Sequence, residues 1–577
     1  MLEADAATTS SACVGAERLA SPESARAEGA TRSKRRRARR VRPTRYGVSQ
    51  QNFRRTKGCT HGRAAAAFRR LRHAWHRAFT IPHRVMERSR KRDVSHHGAV
   101  IVWFRRDLRL ADNPALLAAV ESGRPLIPAF ILDDETPGRW RLGGAARWWL
   151  HHSLASLRDH LAAAGGRLVL RRGRAVETMA ELVRATGAAA VYFNRCHEPF
   201  AVKDEEMLVR TLSGSAIELR RFNGTLLHAP DETRSSKGGS FRVYGAFWRA
   251  LLARGEPPPP MRAPSRLPPA PAVASEQLAA WKLLPSAPNW AKGIETDWTP
   301  GETEAHRRLT AFLDGAAYAY AADRDRPDRG ATSRLSPHLR FGEISPQQIW
   351  YAVRSAAAAG RLPHGAADKL LAELGWREFA HHLLAAYPSL PEQPLRAEFA
   401  AFPWRRDPDA LSAWQQGRTG YPIVDAGMRE LWARGWMHNR VRMIAASFLV
   451  KHLLIDWREG EAWFWDTLVD ADLANNAMNW QWVAGCGTDA VPYFRIFNPV
   501  LQGERFDPEG TYVRRWVPEL AALPAAFIHK PWCAPDALRA KAGVVLGETY
   551  PYPIVDHAIA RERALTAFRR LRNAGHA

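Results

Sequence analysis

Residues 435–482 read GWMHNRVRMIAASFLVKHLLIDWREGEAWFWDTLVDADLANNAMNWQW, and the character of the chain's second half is set there. Two apolar runs with helical spacing, 443–455 and 462–473, are interleaved with residues that a plain core would not choose. Asn439, Arg442, Asp470, Asp472 and Asn476 stand among Trp436, Trp457, Trp463, Trp465, Trp480 and Trp482. Burying carboxylates and amides is costly unless they meet partners. The mixture therefore points either to a bound polar molecule or to a Trp-rich core with an internal Arg–Asp pair. Asn439 and Met443 are four residues apart, as are Asp472 and Asn476, so each pair shares a helix face.

Outward from this stretch the helical pattern continues. Runs at 302–313, 347–359, 366–386, 409–416 and 423–432 make an all-α region of 301–577 the simplest reading. Ahead of it, 229–300 is a connector whose segment GEPPPPMRAPSRLPPAPA has the composition of a semi-extended linker. In 98–228 the pattern changes. Short apolar, β-branched runs (AVIVWF, PLIPAFILD, RLVLRRG, AAAVYFNR, IELRRFNG) alternate with helical stretches at 145–164, 175–186 and 202–212. That alternation predicts an α/β domain, a doubly wound parallel sheet. It carries no GxGxxG and no P-loop, so ordinary nucleotide binding is not supported there.

The 577 residues carry a formal net charge of +26, which points to a polyanionic partner such as nucleic acid. The charge is uneven: 1–97 hold 24 Lys+Arg and 7 Asp+Glu, a net of +17 that leaves only +9 for the rest. Residues 1–97, with the block TRSKRRRARRVRPTR, read as a disordered basic extension. It is a nucleic-acid-binding arm, a transit peptide (a reading its acidic residues weaken), or a stretch upstream of a true start at Met86. The five cysteines contain no CxxC pair, which argues for a reducing compartment and against disulfides or a cysteine-held metal. No run of eighteen apolar residues exists, so no membrane span is expected.

Three clusters read as chemistry. Thr332, Ser333, Arg334 and Ser336 fall just ahead of a helical run, suited to a phosphate or simply to capping beside a surface arginine. Glu373, Trp376 and Arg377 stand at i, i+3 and i+4 on one helix, either lining a cavity or forming a Glu–Arg surface pair beside a core Trp. Arg442 and Asp470 suit a buried structural pair.

The strings GWMHNRVRM, LLIDWREGE, DADLANN, NWQWVAGCGTDA and PYFRIFNP, in this order, closely resemble the flavin-binding half of the DNA photolyase/cryptochrome family. The nearest likeness is to the bacterial class I cyclobutane pyrimidine dimer photolyases, and it runs from about Ala99 to Phe568. The resemblance implies a bound FAD, active in its reduced anionic form, that repairs dimers in light. Tyr320, Arg324, Thr332, Ser333, Arg334, Leu335 and Ser336 would hold its pyrophosphate region. Arg377, Arg442, Asp470, Asp472 and Asn476 would surround the flavin, with Asn476 opposite N5. Glu373, Trp376, Asn439, Met443 and Trp482 would line the dimer pocket, Glu373 also touching the cofactor. Trp404, Trp457 and Trp480 would carry electrons inward from the surface. Arg324, Arg440 and Arg495 would contact DNA phosphates. Asn194 and Glu198 are candidates for an antenna chromophore, a methenyltetrahydrofolate or an 8-hydroxydeazaflavin. No metal is called for. The implied protein is a monomer on damaged DNA, cytoplasmic and nucleoid-associated.

The rival reading is a cryptochrome, a blue-light sensor or a single-strand-restricted repair protein of the same fold. Glu373, Trp376, Asn439 and Met443 suit dimer binding, and the chain ends nine residues after Phe568 without a long signalling tail.

Overall fold

The β-branched run 100–104 forms a strand, β1 (Val100–Phe104), at the centre of a five-stranded sheet. Around it lie β2 (Leu126–Leu132), β3 (Val169–Arg172), β4 (Ala190–Asn194) and β5 (Glu218–Phe222), in the order β3-β2-β1-β4-β5. Every pairing is parallel. The computed structural model describes residues 98–234, 238–489 and 494–574. The readings made for 1–97 lie outside the described residues.

Along β1 the side chains alternate between two cores, as period-2 geometry requires. Val100, Val102 and Phe104 join one cluster; Ile101 and Trp103 join the other. Both faces are thus covered, which explains why the strands read as near-continuous apolar runs. The α/β expectation holds for all five strands, and a helical domain follows it.

In that helical domain the long helix His364–Ala386 packs on Leu473–Ala484. One expectation is corrected. The run 443–455 is an α-helix only over Asn439–Ser447 and continues as a π-helical turn, Phe448–Leu453. The run 462–473 belongs to a helix that starts earlier and stops at Thr467 (Trp457–Thr467). The cause is polar. Asp470 is taken by Arg442 in a two-pronged pair (3.1 and 2.9 Å), and Asp472 caps the next helix by accepting the Asn475 N–H at 2.9 Å. Apolar periodicity does not register either demand.

The sheet and the helices meet on the loop after β1, RRDLRLADN. The Arg109 guanidinium is buried and donates to the carbonyls of Asp112 (2.5 Å), Gly224 (2.7 Å) and Gly342 (3.1 Å). Gly342 has φ +66°, and a Cβ there would meet the Arg106 carbonyl at 2.0 Å, so this approach needs glycine. Glu302 accepts the backbone N–H groups of Leu110 (2.8 Å) and Ala111 (2.9 Å). Arg106 reaches furthest, pairing with Glu198 after β4 and with Asp472 of the helical domain.

Asp472 also faces His381 at 3.4 Å. Burial alone would push its carboxyl up, but His381, Arg106 and Arg340 outweigh burial and hold it well below the usual carboxylate range. Removing one partner of a buried charge cluster strands the others, at a cost of about 3–5 kcal/mol. Asp472→Asn should therefore destabilise the fold by roughly that amount near neutral pH. A carboxylate with a depressed folded-state pKa stabilises above its unfolded value of about 3.9, and that stabilisation is lost as pH falls towards the folded value. The gap between native chain and variant should begin to narrow below about pH 4 in denaturant titrations. A gap that stays constant from pH 6 to pH 2 contradicts the assignment.

Candidate functional site

Two groups of polar side chains stand out in the helical domain, one beside Trp376 and one around Asp470–Asp472. The first begins on His364–Ala386. The Trp376 ring is stacked on Tyr244, centroids 3.6 Å apart and planes 8° from parallel. One turn earlier, Glu373 pairs with Arg324 and not with its i+4 neighbour Arg377. Arg377 turns inward, 3.3 Å from Glu378, where burial lowers its pKa despite that carboxylate. The surface Glu–Arg pair that the spacing allowed is therefore not formed.

Arg324 lies over the Tyr320 ring at 5.5 Å, and the next residue, Asp325, pairs with Arg440 at 2.8 Å. This chain of contacts ties Glu373 to the start of the helix bearing Asn439 and Met443. Asn439 Nδ2 approaches Met443 Sδ at 4.0 Å, so the expected shared face is present. Trp482 is half-buried against the helical core.

In the second group, Arg442 also donates from Nε to the Met437 carbonyl at 2.7 Å, which fixes the guanidinium plane beside Asp470. Asn476 is a full turn inside its helix, and its Nδ2 donates to the Glu461 carbonyl at 2.9 Å. The Glu461 side chain is buried with neither carboxyl oxygen bonded among the described residues, and burial pushes its pKa well up. Arg340 donates to the Ala471 carbonyl. Burial and then Arg106 push its pKa down to about 9. A guanidinium does not give up its proton in proteins, so that pressure marks uncompensated positive charge.

The loop ahead of Ser336–Phe341 divides. Arg334, at φ +52°, sends its guanidinium between Trp298 (4.3 Å) and Trp436 (5.0 Å) and onto Asp297 (3.0 Å). It does not stand free with its neighbours. Ser333 Oγ accepts the Leu335 N–H at 3.4 Å, while the Thr332 and Ser336 hydroxyls make no hydrogen bond among the described residues.

The three tryptophans grade from surface to core. Trp404 is half-exposed; Trp457 and Trp480 are 1% and 2% exposed. The Arg405 N–H donates to the Leu454 carbonyl at 2.7 Å, laying the Trp404 segment beside the one that leads into Trp457. Trp480 rests on Gly460, where a Cβ would fall 2.1 Å from its ring. Glycine there lets the indole sit against the backbone of the Trp457 helix.

Two sequence candidates are engaged in part, with Asn194 Oδ1 and Glu198 Oε2 left without a hydrogen bond among the described residues. Asn194 Nδ2 donates to Asp107 (2.6 Å) and Asn113 (2.7 Å), and Glu198 pairs with Arg106. Arg440 is held by Asp325 and lies over Phe506 at 4.5 Å, whereas Arg495 is exposed. Sequence reading missed Tyr244, Arg106, Arg340 and His381. Each meets its partners across long sequence separations, and no local spacing announces them. It also missed a cleft of about 700 Å³ whose lining includes Trp140, Trp281, Trp465, Arg141, Arg147 and Lys282.

Among the described residues no helix is long and apolar enough to cross a membrane. Residues 100–265 match the family model described as DNA photolyase, and 370–570 match the FAD binding domain of DNA photolyase. A deoxyribodipyrimidine photo-lyase of Agrobacterium fabrum is 54% identical over 81% of this chain and 97% of its own. Cryptochrome-1 of Arabidopsis thaliana is 39% identical over 80% of this chain and 69% of its own. The crystal structure of a bacterial class III photolyase from Agrobacterium tumefaciens is 53% identical, with a TM-score of 0.80, covering 83% of this chain and 98% of that one. That class differs from the class I likeness read in the sequence. With the two family models spanning both halves and relatives matched over four-fifths of its length, the chain belongs to the DNA photolyase family.

Proposed function

We propose that the protein repairs cyclobutane pyrimidine dimers in DNA, using light and a reduced FAD held in the helical domain. The observation that carries this reading is the run of contacts from Glu373 through Arg324 and Asp325 to Arg440, which joins the helix of Trp376 to the helix bearing Asn439 and Met443. When bound, FAD supplies the excited-state electron that opens the cyclobutane ring.

The donor set fits that cofactor. Arg340 and Arg106, with His381, give a positive environment that holds the Asp472 carboxyl well below the usual carboxylate range. Arg442, locked by Asp470, presents a fixed guanidinium; Thr332 and Ser336 offer unspent hydroxyls. Arg334 serves by bracing the loop against Trp298 and Trp436. In the dimer pocket, Trp376 offers one indole face to an extruded base, and Glu373 accepts from its polar edge and stabilises charge developing there. Arg495 contacts phosphate, which positions the duplex and makes binding weaken with salt. Asp325 stands between Arg440 at 2.8 Å and Arg324 at 3.9 Å.

The test is repair of a single thymine dimer in a duplex oligonucleotide by chemically reduced protein, in blue light and in darkness. Light-dependent restoration is expected, and Trp376→Ala should lose most of the preference for damaged over intact DNA. A flavin-loaded protein that repaired nothing would move the reading to a light sensor, and repair of single strands alone to the restricted cryptochromes.

Trp404, Trp457 and Trp480 relay electrons from the surface to the cofactor when it is oxidised. Trp404→Phe should slow photoreduction while repair by pre-reduced protein stays nearly intact; loss of both would remove the relay assignment.

For the second chromophore, Asn194 and Glu198 are engaged within the fold, and the 700 Å³ cleft with its tryptophan walls and cationic rim suits a flat anionic ring better. Arg141→Glu, at an exposed rim position, should release that chromophore and leave FAD in place. Retention of a full complement would return the site to the Asn194–Glu198 region.

A further inference from the structure

Tyr244 is tethered at both ends. Its backbone N–H donates to Asp489 at 2.7 Å, and its hydroxyl donates to the Ala372 carbonyl at 2.7 Å, one residue before Glu373. Burial and the nearby Glu373 carboxylate push the phenol well above its ordinary pKa, so it remains a donor. Between these tethers the ring lies flat on Trp376, at 3.6 Å and 8°. Behind it Trp248 continues the stack at 6.3 Å and 11°, and Trp248 meets Trp350 edge-on at 6.2 Å. The close approach is built in: a Cβ on Gly375 would meet the Trp248 ring at 2.5 Å and the Tyr244 hydroxyl at 2.9 Å.

An indole has two faces, and a flipped base needs one of them held at a fixed height and tilt. A tryptophan on a helix surface ordinarily keeps rotamer freedom, which it must lose when a base stacks on it. With one face already covered by a pinned ring, that loss has been met during folding. We infer that Tyr244 is a positioning residue for damaged-DNA recognition, a fixed shelf that presents the free face of Trp376 to the extruded pyrimidine. The inference rests on the proposed role of Trp376. The flat ring does the stacking, and the backbone tether to Asp489 remains when the hydroxyl is removed.

The experiment compares affinity for a dimer-containing duplex and its intact counterpart, with FAD-loaded native chain, Tyr244→Phe, Tyr244→Leu, Trp376→Ala and the Tyr244→Leu/Trp376→Ala double variant. An aromatic pair contributes enough that Tyr244→Leu should cut the damaged-over-intact preference by roughly three- to tenfold. Tyr244→Phe, which keeps the flat face, should restore most of it. In the Trp376→Ala background Tyr244→Leu should cost nothing further, and the flavin absorption spectrum should stay unchanged throughout. Equal losses in both backgrounds, or a full preference in Tyr244→Leu, would overturn the inference. If Tyr244→Leu does not fold, a tenfold loss in Tyr244→Phe alone would also overturn it, because the flat face would then not be what matters. Should Trp376→Ala itself keep its discrimination, the pocket reading falls first, and the two failures are told apart.

Discussion

The Arg106 guanidinium, pinned between Glu198 and Asp472, is the contact on which the arrangement of sheet and helices depends. Taking such charges out of water costs several kcal/mol per ion, and only dense mutual pairing returns it. Here the return comes from both halves at once. Glu198 belongs to the segment after β4, and Asp472 begins the helix that carries Asn476, Trp480 and Trp482. A buried ion cluster is a poor way to gain stability and a good way to fix a register, because any shift leaves a charge unpaired. That register sets where Asp470, Arg442 and Asn476 stand.

The same contact explains an absence in the α/β half. In doubly wound sheets the carboxyl ends of the strands where the order reverses form a crevice that usually takes a ligand. Here the reversal lies between β1 and β4, at Arg105–Asp107 and Asn194–Glu198. The crevice is filled by the protein itself. Asn194 is bound to Asp107 and Asn113, Arg105 to Glu205 at 2.7 Å, and Arg106 to the helical domain. Asn194 Oδ1 and Glu198 Oε2 remain buried there without a hydrogen bond among the described residues.

How much was legible follows from the range of each signal. The strands were readable because β-branched runs of four to seven residues state their own conformation. So were most of the helices, through 3.6-residue spacing. The break at Leu468–Asp472 was not, because Arg442 and Asn475, which claim the two carboxylates, act through geometry that hydropathy does not record. The motif strings singled out Glu373, Trp376, Asn439, Met443 and the tryptophan relay. Their partners Arg324, Tyr244 and Gly460 required coordinates. Tyr244 sits 132 residues from Trp376, in a stretch (FRVYGAFWRA) whose pattern is that of an ordinary amphipathic helix.

The candidate residues differ in how far the fold engages them. Arg334, Arg440, Asn194 and Glu198 each meet internal partners, yet each keeps one buried polar atom without a hydrogen bond among the described residues: Arg334 Nε, Arg440 Nε, Asn194 Oδ1 and Glu198 Oε2. The Thr332 and Ser336 hydroxyls make no hydrogen bond among the described residues, Arg495 is exposed, and Trp376 is covered by Tyr244 on one face. A polar or aromatic group that is held rigidly and left unsatisfied costs stability in the empty protein, and a ligand that satisfies it returns that cost as affinity. Sequence likeness marks both kinds of residue alike, since a motif preserves frame and site together. The structure shows the internal partner of each engaged one, Asp297 for Arg334 and Asp325 for Arg440 among them.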